Sequence, residues 1–281
     1  MNTKNKKDYK IFFFLFLPVL LLAKPFIVND TPKNGEAFLV FENKKPEFVK
    51  VFNKRFKFYP TIHNKEYKYY ALIPVNYRQK PGVYKLILKY PHTTETVSVK
   101  VIKGDYKKEY IKVAKSKVSP PKKLLKRIRN EYKEAMKIYS TYTDKKYWKH
   151  YFSLPLNSKI TSGFGNARLF NGKLKSFHSG IDFRAKTGTP IGAVNDGIVV
   201  LAKNRYFAGN SVVISHGRGI YSCYYHLSKI NVKKGQRVKK GDILGLSGQT
   251  GRVTGPHLHF TTWANGVIVN PKVLISLLNQ I

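Results

Sequence analysis

Two histidines separated by one residue are the first candidates for chemistry in this chain. They lie in the stretch Gly255-Pro256-His257-Leu258-His259-Phe260. Residues at i and i+2 of a β-strand project from the same face, about 7 Å apart along the strand. Imidazole is the commonest metal ligand and the usual proton carrier near neutral pH. One histidine could therefore hold a metal while the other moves protons, although two structural histidines on a half-buried strand would give the same pattern.

Three more histidines and one aspartate extend this candidate site. His178 and Asp182 are four residues apart, and Gly180 between them favours an extended or bulged segment over a helix. His226 follows a predicted strand over 221–225, and His216 precedes it. Catalytic zinc sites take three protein ligands and keep one open position. Without His216, these residues suffice for one site of two histidines and an aspartate, with two histidines to spare, and the helical HExxH signature is absent from the sequence.

The elements that must position these residues are predicted to be β-strands. Of the 20 glycines, only Gly35, Gly82 and Gly104 precede residue 150. Frequent glycines between short apolar runs indicate tight turns that join strands. We therefore predict an antiparallel, all-β catalytic domain over residues 151–281, with little helix before its last dozen residues.

The part before residue 150 is predicted to contain a second β-domain and a helical connector. Apolar and charged residues alternate at 84–90 and 97–101, which predicts a small β-sandwich over residues 24–104. Residues 105–150 form the connector, with a helix predicted to begin at Ser119-Pro120. An apolar stripe should pack this helix against a neighbouring domain, and it consists of Leu125, Ile128, Tyr132, Met136 and Tyr139. A basic membrane-surface helix is the alternative interpretation.

Residues 1–23 have the pattern of a secretory signal. Four lysines precede an apolar run over 11–22, and Ala23 offers a small residue for cleavage. The run is shorter than the roughly 20 residues that a membrane-spanning helix needs. We expect export with cleavage, and an uncleaved signal that anchors the protein in a membrane is the alternative.

Charge and cysteine content narrow the classes of partner. The 52 Lys and Arg against 15 Asp and Glu give a formal net charge of +37, which predicts a polyanionic partner. Export and the lack of any nucleic-acid-binding motif argue against nucleic acid and favour an anionic wall polymer. The single cysteine, Cys223, lies in an apolar run, so we predict a buried structural thiol and no disulfide within the chain.

The second half of the chain resembles the lysostaphin-type zinc metallopeptidases, also called LytM-domain enzymes, which cut peptide cross-links in bacterial peptidoglycan. The resemblance depends on several short segments in the same order: Phe164-Gly165, His178 to Asp182, Gly188-Thr189-Pro190-Ile191, Tyr225-His226-Leu227, Gly235 to Val238, Gly241 to Gly245, Gly248 to Gly251, Gly255 to Phe260 and Asn270-Pro271. So many matches in one order make the resemblance specific.

The resemblance implies a role for each candidate residue. It implies that His178, Asp182 and His259 bind one zinc ion per chain, and that His226 and His257 are catalytic histidines that do not bind the metal. We expect His216 to be structural. Arg168 could contact a carboxylate of the substrate or could be a solvated loop arginine.

The expected protein is thus mainly β, with a LytM-type domain behind a β-sandwich and a helical connector. The order of these parts is similar to that of cell-shape-determining D,D-endopeptidases of helical Gram-negative bacteria. We expect a monomer that hydrolyses D-Ala–diaminopimelate cross-links of peptidoglycan and could also act as a D,D-carboxypeptidase. The alternative is a non-catalytic LytM-domain protein that binds the wall or activates an amidase.

Overall fold

The fold is mainly β, as predicted. A computed structural model describes residues 25–62, 64–172 and 174–281. The predicted signal or anchor at 1–23 lies outside the described residues. No helix within those ranges is both long enough and apolar enough to span a membrane.

The first part of the chain folds into two four-stranded sheets. Their strands are β1 (Phe26–Val28), β2 (Ala37–Glu42), β3 (Phe48–Val51), β4 (Lys54–Phe56), β5 (Tyr59–Pro60), β6 (Tyr69–Pro74), β7 (Gly82–Lys89) and β8 (Thr94–Val101). One sheet has the order β1-β2-β6-β5 and the other β4-β3-β7-β8. The alternation predicted for β7 and β8 is confirmed: Leu86, Leu88 and Val99 are buried, whereas Lys85 and Ser98 are exposed.

Strand β2 is buried on both of its faces because the sandwich packs against the second half of the chain. Phe38 and Val40 point into the core of the sandwich. Leu39 and Phe41 point the other way, into a core that includes residues of the second half such as Ile220. Because successive side chains of a strand point to opposite faces, β2 contributes to two hydrophobic cores.

The connector contains a short strand, two helices and a 3₁₀ turn. These are β9 (Lys108–Ile111), α1 (Lys115–Val118), the 3₁₀ turn Lys122–Leu124 and α2 (Leu125–Ser140). The predicted helix start at Ser119-Pro120 is wrong, since Ser119 ends α1 and Pro121 is extended with ψ 141°. A residue that precedes a proline is disfavoured in the α region, so the Pro120-Pro121 pair delays the helix.

Helix α2 packs against the second half of the chain, as predicted, but through part of the predicted stripe. Its buried residues are Ala135 and Tyr139, and the ring of Tyr139 stacks on Trp263 with centroids 4.0 Å apart. The predicted stripe residues Leu125 and Tyr132 are 37% and 65% exposed. The buried residues of α2 thus belong to its C-terminal half, whereas apolar residues nearer its start remain in contact with solvent.

The second half is built on an eight-stranded antiparallel sheet. Its elements are β10 (Ile160–Ser162), β11 (Ala167–Phe170), β12 (Leu174–Phe177), β13 (Ile181–Arg184), β14 (Pro190–Gly192), β15 (Gly197–Arg205), β16 (Gly209–Gly217), β17 (Ile220–Leu227), β18 (Lys229–Ile230), β19 (Arg237–Val238), β20 (Ile243–Leu246), β21 (His257–Ala264), β22 (Val267–Val269) and α3 (Pro271–Leu278). The large sheet has the order β10-β13-β21-β17-β16-β15-β19, and β22 pairs with β21.

A smaller sheet joins the connector to the second half. Strands β11 and β12 form a hairpin, and β9 lies beside β11 in the order β12-β11-β9. The β9–β11 pair is parallel, with Glu109 opposite Arg168. The connector thus contributes a strand to the part of the molecule that carries the candidate site.

Candidate metal centre

Three side chains from distant positions converge at one end of the large sheet. His178 Nε2 lies 2.9 Å from Asp182 Oδ1 and 3.0 Å from His259 Nδ1, and His259 Nδ1 lies 2.7 Å from Asp182 Oδ1. All three residues are buried. The side chains predicted as metal ligands are therefore brought together with one donor atom each.

Strand register explains how these residues meet. Asp182 of β13 lies directly opposite His259 of β21, and cross-strand partners have their side chains on the same face. His178 precedes β13 on a segment that runs against β21. Gly180 makes this approach feasible, because a Cβ atom there would collide with the backbone of Phe260.

The hydrogen bonds behind the cluster direct the lone pairs inward. His178 Nδ1 is 2.7 Å from the carbonyl oxygen of Gly163, which can only accept, so the ring proton is on Nδ1 and Nε2 is bare. His259 Nε2 bonds Thr261 Oγ1 at 2.8 Å, which leaves Nδ1 facing the cluster. Two imidazole lone pairs and a carboxylate oxygen then share one small volume. This donor set is matched by a divalent cation such as zinc.

The protonation states agree with that arrangement. Burial lowers the pKa of His259 to about 4, against a smaller opposing effect of Asp182, so the ring is neutral at pH 7. Burial would raise the pKa of Asp182, but the close neighbours His178 and His259 outweigh it and keep the pKa well below its usual range. A neutral imidazole and an ionised carboxylate are the forms that bind metals.

His226 and His257 lie beside the cluster without joining it. Their ring centroids are 5.0 Å apart, and His257 Nε2 is 3.7 Å from Asp182 Oδ1. Each Nδ1–H donates to a backbone carbonyl, that of Thr250 at 2.8 Å for His226 and that of Gly255 at 2.9 Å for His257. Each ring therefore keeps its Nε2 as a free proton acceptor next to the cluster.

The position of His226 requires an unusual backbone. Its φ is +65°, a region that costs a non-glycine residue about 1 kcal/mol or more. The pairing of β16 with β17 is irregular at this point, between Asn210 and Val212. A bulge of this kind re-aims a side chain, and here it turns His226 toward His257.

Comparison with known proteins finds a family model and several relatives that match part of this chain. Residues 176–271 match the sequence model of Peptidase family M23. The chain is 50% identical over 119 residues to peptidoglycan DD-endopeptidase ShyA of Vibrio cholerae. This match covers 41% of this chain and 28% of ShyA. It is 41% identical over 129 residues to ShyC of the same organism, 45% of this chain and 30% of ShyC. The matches thus cover less than a third of the length of either relative.

Residues 176–271 belong to peptidase family M23. The second half of the chain, which contains them, is called the M23 domain below. A crystal structure of an M23 peptidase from Pseudomonas aeruginosa has a TM-score of 0.67 and 28% sequence identity, and the match covers 87% of this chain and 94% of that one. The predicted resemblance is confirmed, and the likeness of fold extends from the M23 domain into the sandwich and the connector.

A network of polar side chains supports the candidate ligands of the M23 domain from behind. Arg168 Nη2 donates to Asp182 Oδ2 at 2.7 Å, and Arg168 Nε donates to Glu109 Oε2 at 2.8 Å. Ser162 Oγ lies 2.9 Å from His178 Nδ1. Arg168 lies at the cluster as well as at the groove, and its predicted contact with a substrate carboxylate stays a prediction.

Glu109 is the member of this network that the sequence did not reveal. It belongs to the connector strand β9, and its carboxylate accepts hydrogen bonds from Ser162, Asn166 and Arg168. Burial would raise its pKa, but these hydrogen bonds lower it below its usual value. The sequence around Glu109 has no metal-site signature. Its place in this network becomes visible only through the pairing of β9 with β11.

A groove crosses the M23 domain on both sides of the cluster. One cavity, of about 800 Å³, is lined by the connector residues Tyr110 and Lys112 and by Thr254 to His257. A second cavity, of about 320 Å³, is lined by His226, His259 and Arg252. Asp182 and His257 line both cavities. The candidate ligands therefore lie where the two cavities of the groove meet.

The remaining residues singled out from the sequence lie away from the groove. His216 is fully buried, and its ring nitrogens bond the carbonyl of Asp196 at 2.7 Å and Ser222 Oγ at 2.8 Å. Cys223 is a buried free thiol, and burial raises its pKa to about 11. Both residues therefore have structural surroundings, as expected.

Proposed function

We propose that the protein is a zinc-dependent peptidoglycan endopeptidase that hydrolyses peptide cross-links of the bacterial wall. The observation that carries the proposal is the convergence of two imidazole lone pairs and a carboxylate beside two histidines with free Nε2 atoms. The M23 match and the relatives named peptidoglycan DD-endopeptidases support the same activity.

His178, Asp182 and His259 would hold the zinc ion. Their donor atoms lie within 4.8 Å of one another, and the carbonyl of Gly163 behind His178 fixes the tautomer of that ring. When bound, zinc would polarise the scissile carbonyl and lower the pKa of water from about 15.7 toward 7. Arg168 holds the second carboxylate oxygen of Asp182, so Oδ1 stays directed at the two histidines.

His226 and His257 would move the protons of the reaction. Each presents a bare Nε2 toward the cluster, so one of them can accept a proton from the attacking water. Burial lowers the pKa of His226 well below its usual value, with further lowering by His259 and His257, so the ring starts neutral. Once protonated, the pair would stabilise the developing oxyanion and donate a proton to the leaving amine.

The groove and the charge of the protein fit a peptidoglycan substrate. Peptide stems carry free carboxylates, and the formal net charge of +37 draws a polyanionic wall toward the protein. Arg168 would contact a stem carboxylate where it lines the groove. We place the cut at D-Ala–diaminopimelate cross-links, with D,D-carboxypeptidase action on shorter stems, and the protein as a periplasmic monomer that is membrane-anchored if its signal is not cleaved.

Metal content and product analysis test the proposal together. The native protein should bind one zinc ion and release cleaved muropeptides from purified sacculi. Mass spectrometry of the products from a cross-linked muropeptide dimer then identifies the bond. A non-catalytic protein that binds the wall or activates an amidase would give no cleavage of the dimer, which would refute the enzymatic proposal.

Three histidine variants separate the proposed roles. We expect His259→Ala to lose zinc, and His226→Ala and His257→Ala to keep zinc but lose about 10²–10⁴-fold in turnover. His92→Ala removes an exposed histidine of the sandwich and serves as the matched control. Near-normal cleavage by His226→Ala would show that this residue does not move a proton in the reaction.

A further inference from the structure

The connector places one acidic side chain inside the M23 domain. Strand β9 pairs in parallel with β11, so Glu109 lies opposite Arg168. The Glu109 side chain is 24% exposed and forms an ion pair with Arg168, which is 15% exposed. This contact is long-range, since Glu109 precedes the first strand of the M23 half by about fifty residues.

Three donors from the M23 domain point at this one carboxylate. Ser162 Oγ and Asn166 Nδ2 each donate to Glu109 Oε1 at 2.7 Å, and Arg168 Nε donates to Oε2 at 2.8 Å. An ionised carboxylate only accepts hydrogen bonds, so both oxygens can serve these donors at once. A glutamine at position 109 would lose the charge and turn an NH₂ group toward a donor.

Two of the three partners of Glu109 touch the candidate ligands. Arg168 Nη2 bonds Asp182 Oδ2 at 2.7 Å and also donates to Ser162 Oγ at 3.0 Å. Ser162 Oγ in turn lies 2.9 Å from His178 Nδ1. Glu109 therefore fixes, through one residue in each case, the orientation of a carboxylate and of an imidazole in the cluster.

We propose that Glu109 is a positioning residue of the metal centre, supplied by the connector, and that docking of β9 and metal binding strengthen each other. The inference rests on the proposed function, because it requires the cluster to bind a divalent ion. Residues behind metal ligands typically change metal affinity by about 10–100-fold when they are mutated. Binding free energies are reciprocal, so the metal must stabilise the β9–β11 pairing by the same factor.

Zinc affinity of the full chain, measured by competition with a chelator, tests this positioning role. Glu109→Gln should weaken zinc binding about tenfold. Glu134→Gln is the matched control, because it makes the same change in the same connector. Glu134 lies on α2 and forms an exposed ion pair with Lys203 of β15. In an Arg168→Lys background, Glu109→Gln should weaken binding less than in the native chain, since the two residues act through one contact.

Hydrogen exchange gives a second measurement that does not depend on activity. Adding zinc should slow exchange of the backbone N–H groups between β9 and β11 in the native chain, and should slow it about tenfold less in Glu109→Gln. Should Glu109→Gln unfold at the assay temperature, Glu109→Asp takes its place: its shorter side chain cannot reach all three donors, so zinc binding must again be weaker than in the control.

The outcomes distinguish the two proposals. A native chain that binds no zinc would refute the proposed function. A native chain that binds zinc, together with a folded Glu109→Gln variant whose affinity matches that of Glu134→Gln, would overturn the role of Glu109 and leave the proposed function standing.

Discussion

Acid should destabilise this protein through His216, which is remote from the candidate metal centre. The ring is fully buried, and it lies edge-on to Phe152 with centroids 5.2 Å apart. Burial lowers the pKa of His216 to about 4, and the carbonyl of Asp196 opposes this only in part. In the unfolded chain the same imidazole titrates near 6.5.

The sign and size of the effect follow from those two pKa values. Between about pH 6.5 and 4 the unfolded chain binds a proton at His216 that the folded chain does not bind, so the free energy of unfolding falls as the pH falls. Integration gives a loss of about 2 kcal/mol by pH 5 and roughly 3 kcal/mol once the pH is below 4. Above pH 7 the contribution is constant.

Urea unfolding at pH 7.5 and pH 5 measures this loss. In His216→Asn the amide can still donate a hydrogen bond but does not titrate, so the variant should lose about 2 kcal/mol less than the native chain between the two pH values. Other buried histidines contribute equally to both proteins and cancel. His92→Asn, at an exposed position, should behave like the native chain. An equal pH effect in His216→Asn and native protein would refute a buried neutral imidazole at position 216.

Three further predictions concern the fold and the charge. Gly165→Ala should destabilise the chain by about 2–4 kcal/mol in urea unfolding, because Gly165 has φ +84° and an added Cβ would strike the ring of Tyr106. An added Cβ at Gly163 meets no atom within 4 Å, so the control Gly163→Ala should cost under about 1 kcal/mol. Equal losses in the two variants would contradict this explanation. Tyr139→Ala should lower the free energy of unfolding by about 3–5 kcal/mol, whereas Tyr132 is 65% exposed and Tyr132→Ala should change it by no more than about 0.5 kcal/mol. Similar melting temperatures of the two variants would show that α2 does not depend on the packing of Tyr139. Cleavage of intact sacculi should fall as salt rises while cleavage of a short soluble peptide changes less, and parallel salt curves would exclude long-range attraction.

The local features of the fold could be predicted because they depend on neighbouring residues. The alternation of apolar and charged residues predicted β7 and β8. The HxH spacing predicted two histidines on one face of β21. Two consecutive prolines moved the start of α2 past the predicted position, because each restricts the residue before it. The exposure of Leu125 and Tyr132 could not be predicted, because it depends on how far the sheet extends beneath the helix. The spacing of apolar residues within a helix does not reveal the extent of a neighbouring sheet.

The convergence of the site could be predicted only through the family resemblance. The types of the five candidate residues indicated metal and proton chemistry, and the matching motifs implied which of them would be ligands. Glu109 could not be found in this way, since it depends on a parallel strand pair formed across more than fifty residues. The left-handed backbone of His226 was equally hidden, because nothing in the residue type requires φ +65°.

The two-sided burial of β2 limits how the molecule can move. Separating the sandwich from the M23 domain would expose apolar side chains such as Leu39, Phe41 and Leu72 to solvent. This exposure costs a free energy of about 25 cal/mol for each Å² of apolar surface. Hinge opening at this junction is therefore disfavoured, and the two halves should melt in one transition. A ligand of the groove would therefore have to enter from its open side, not through a gap between the two halves.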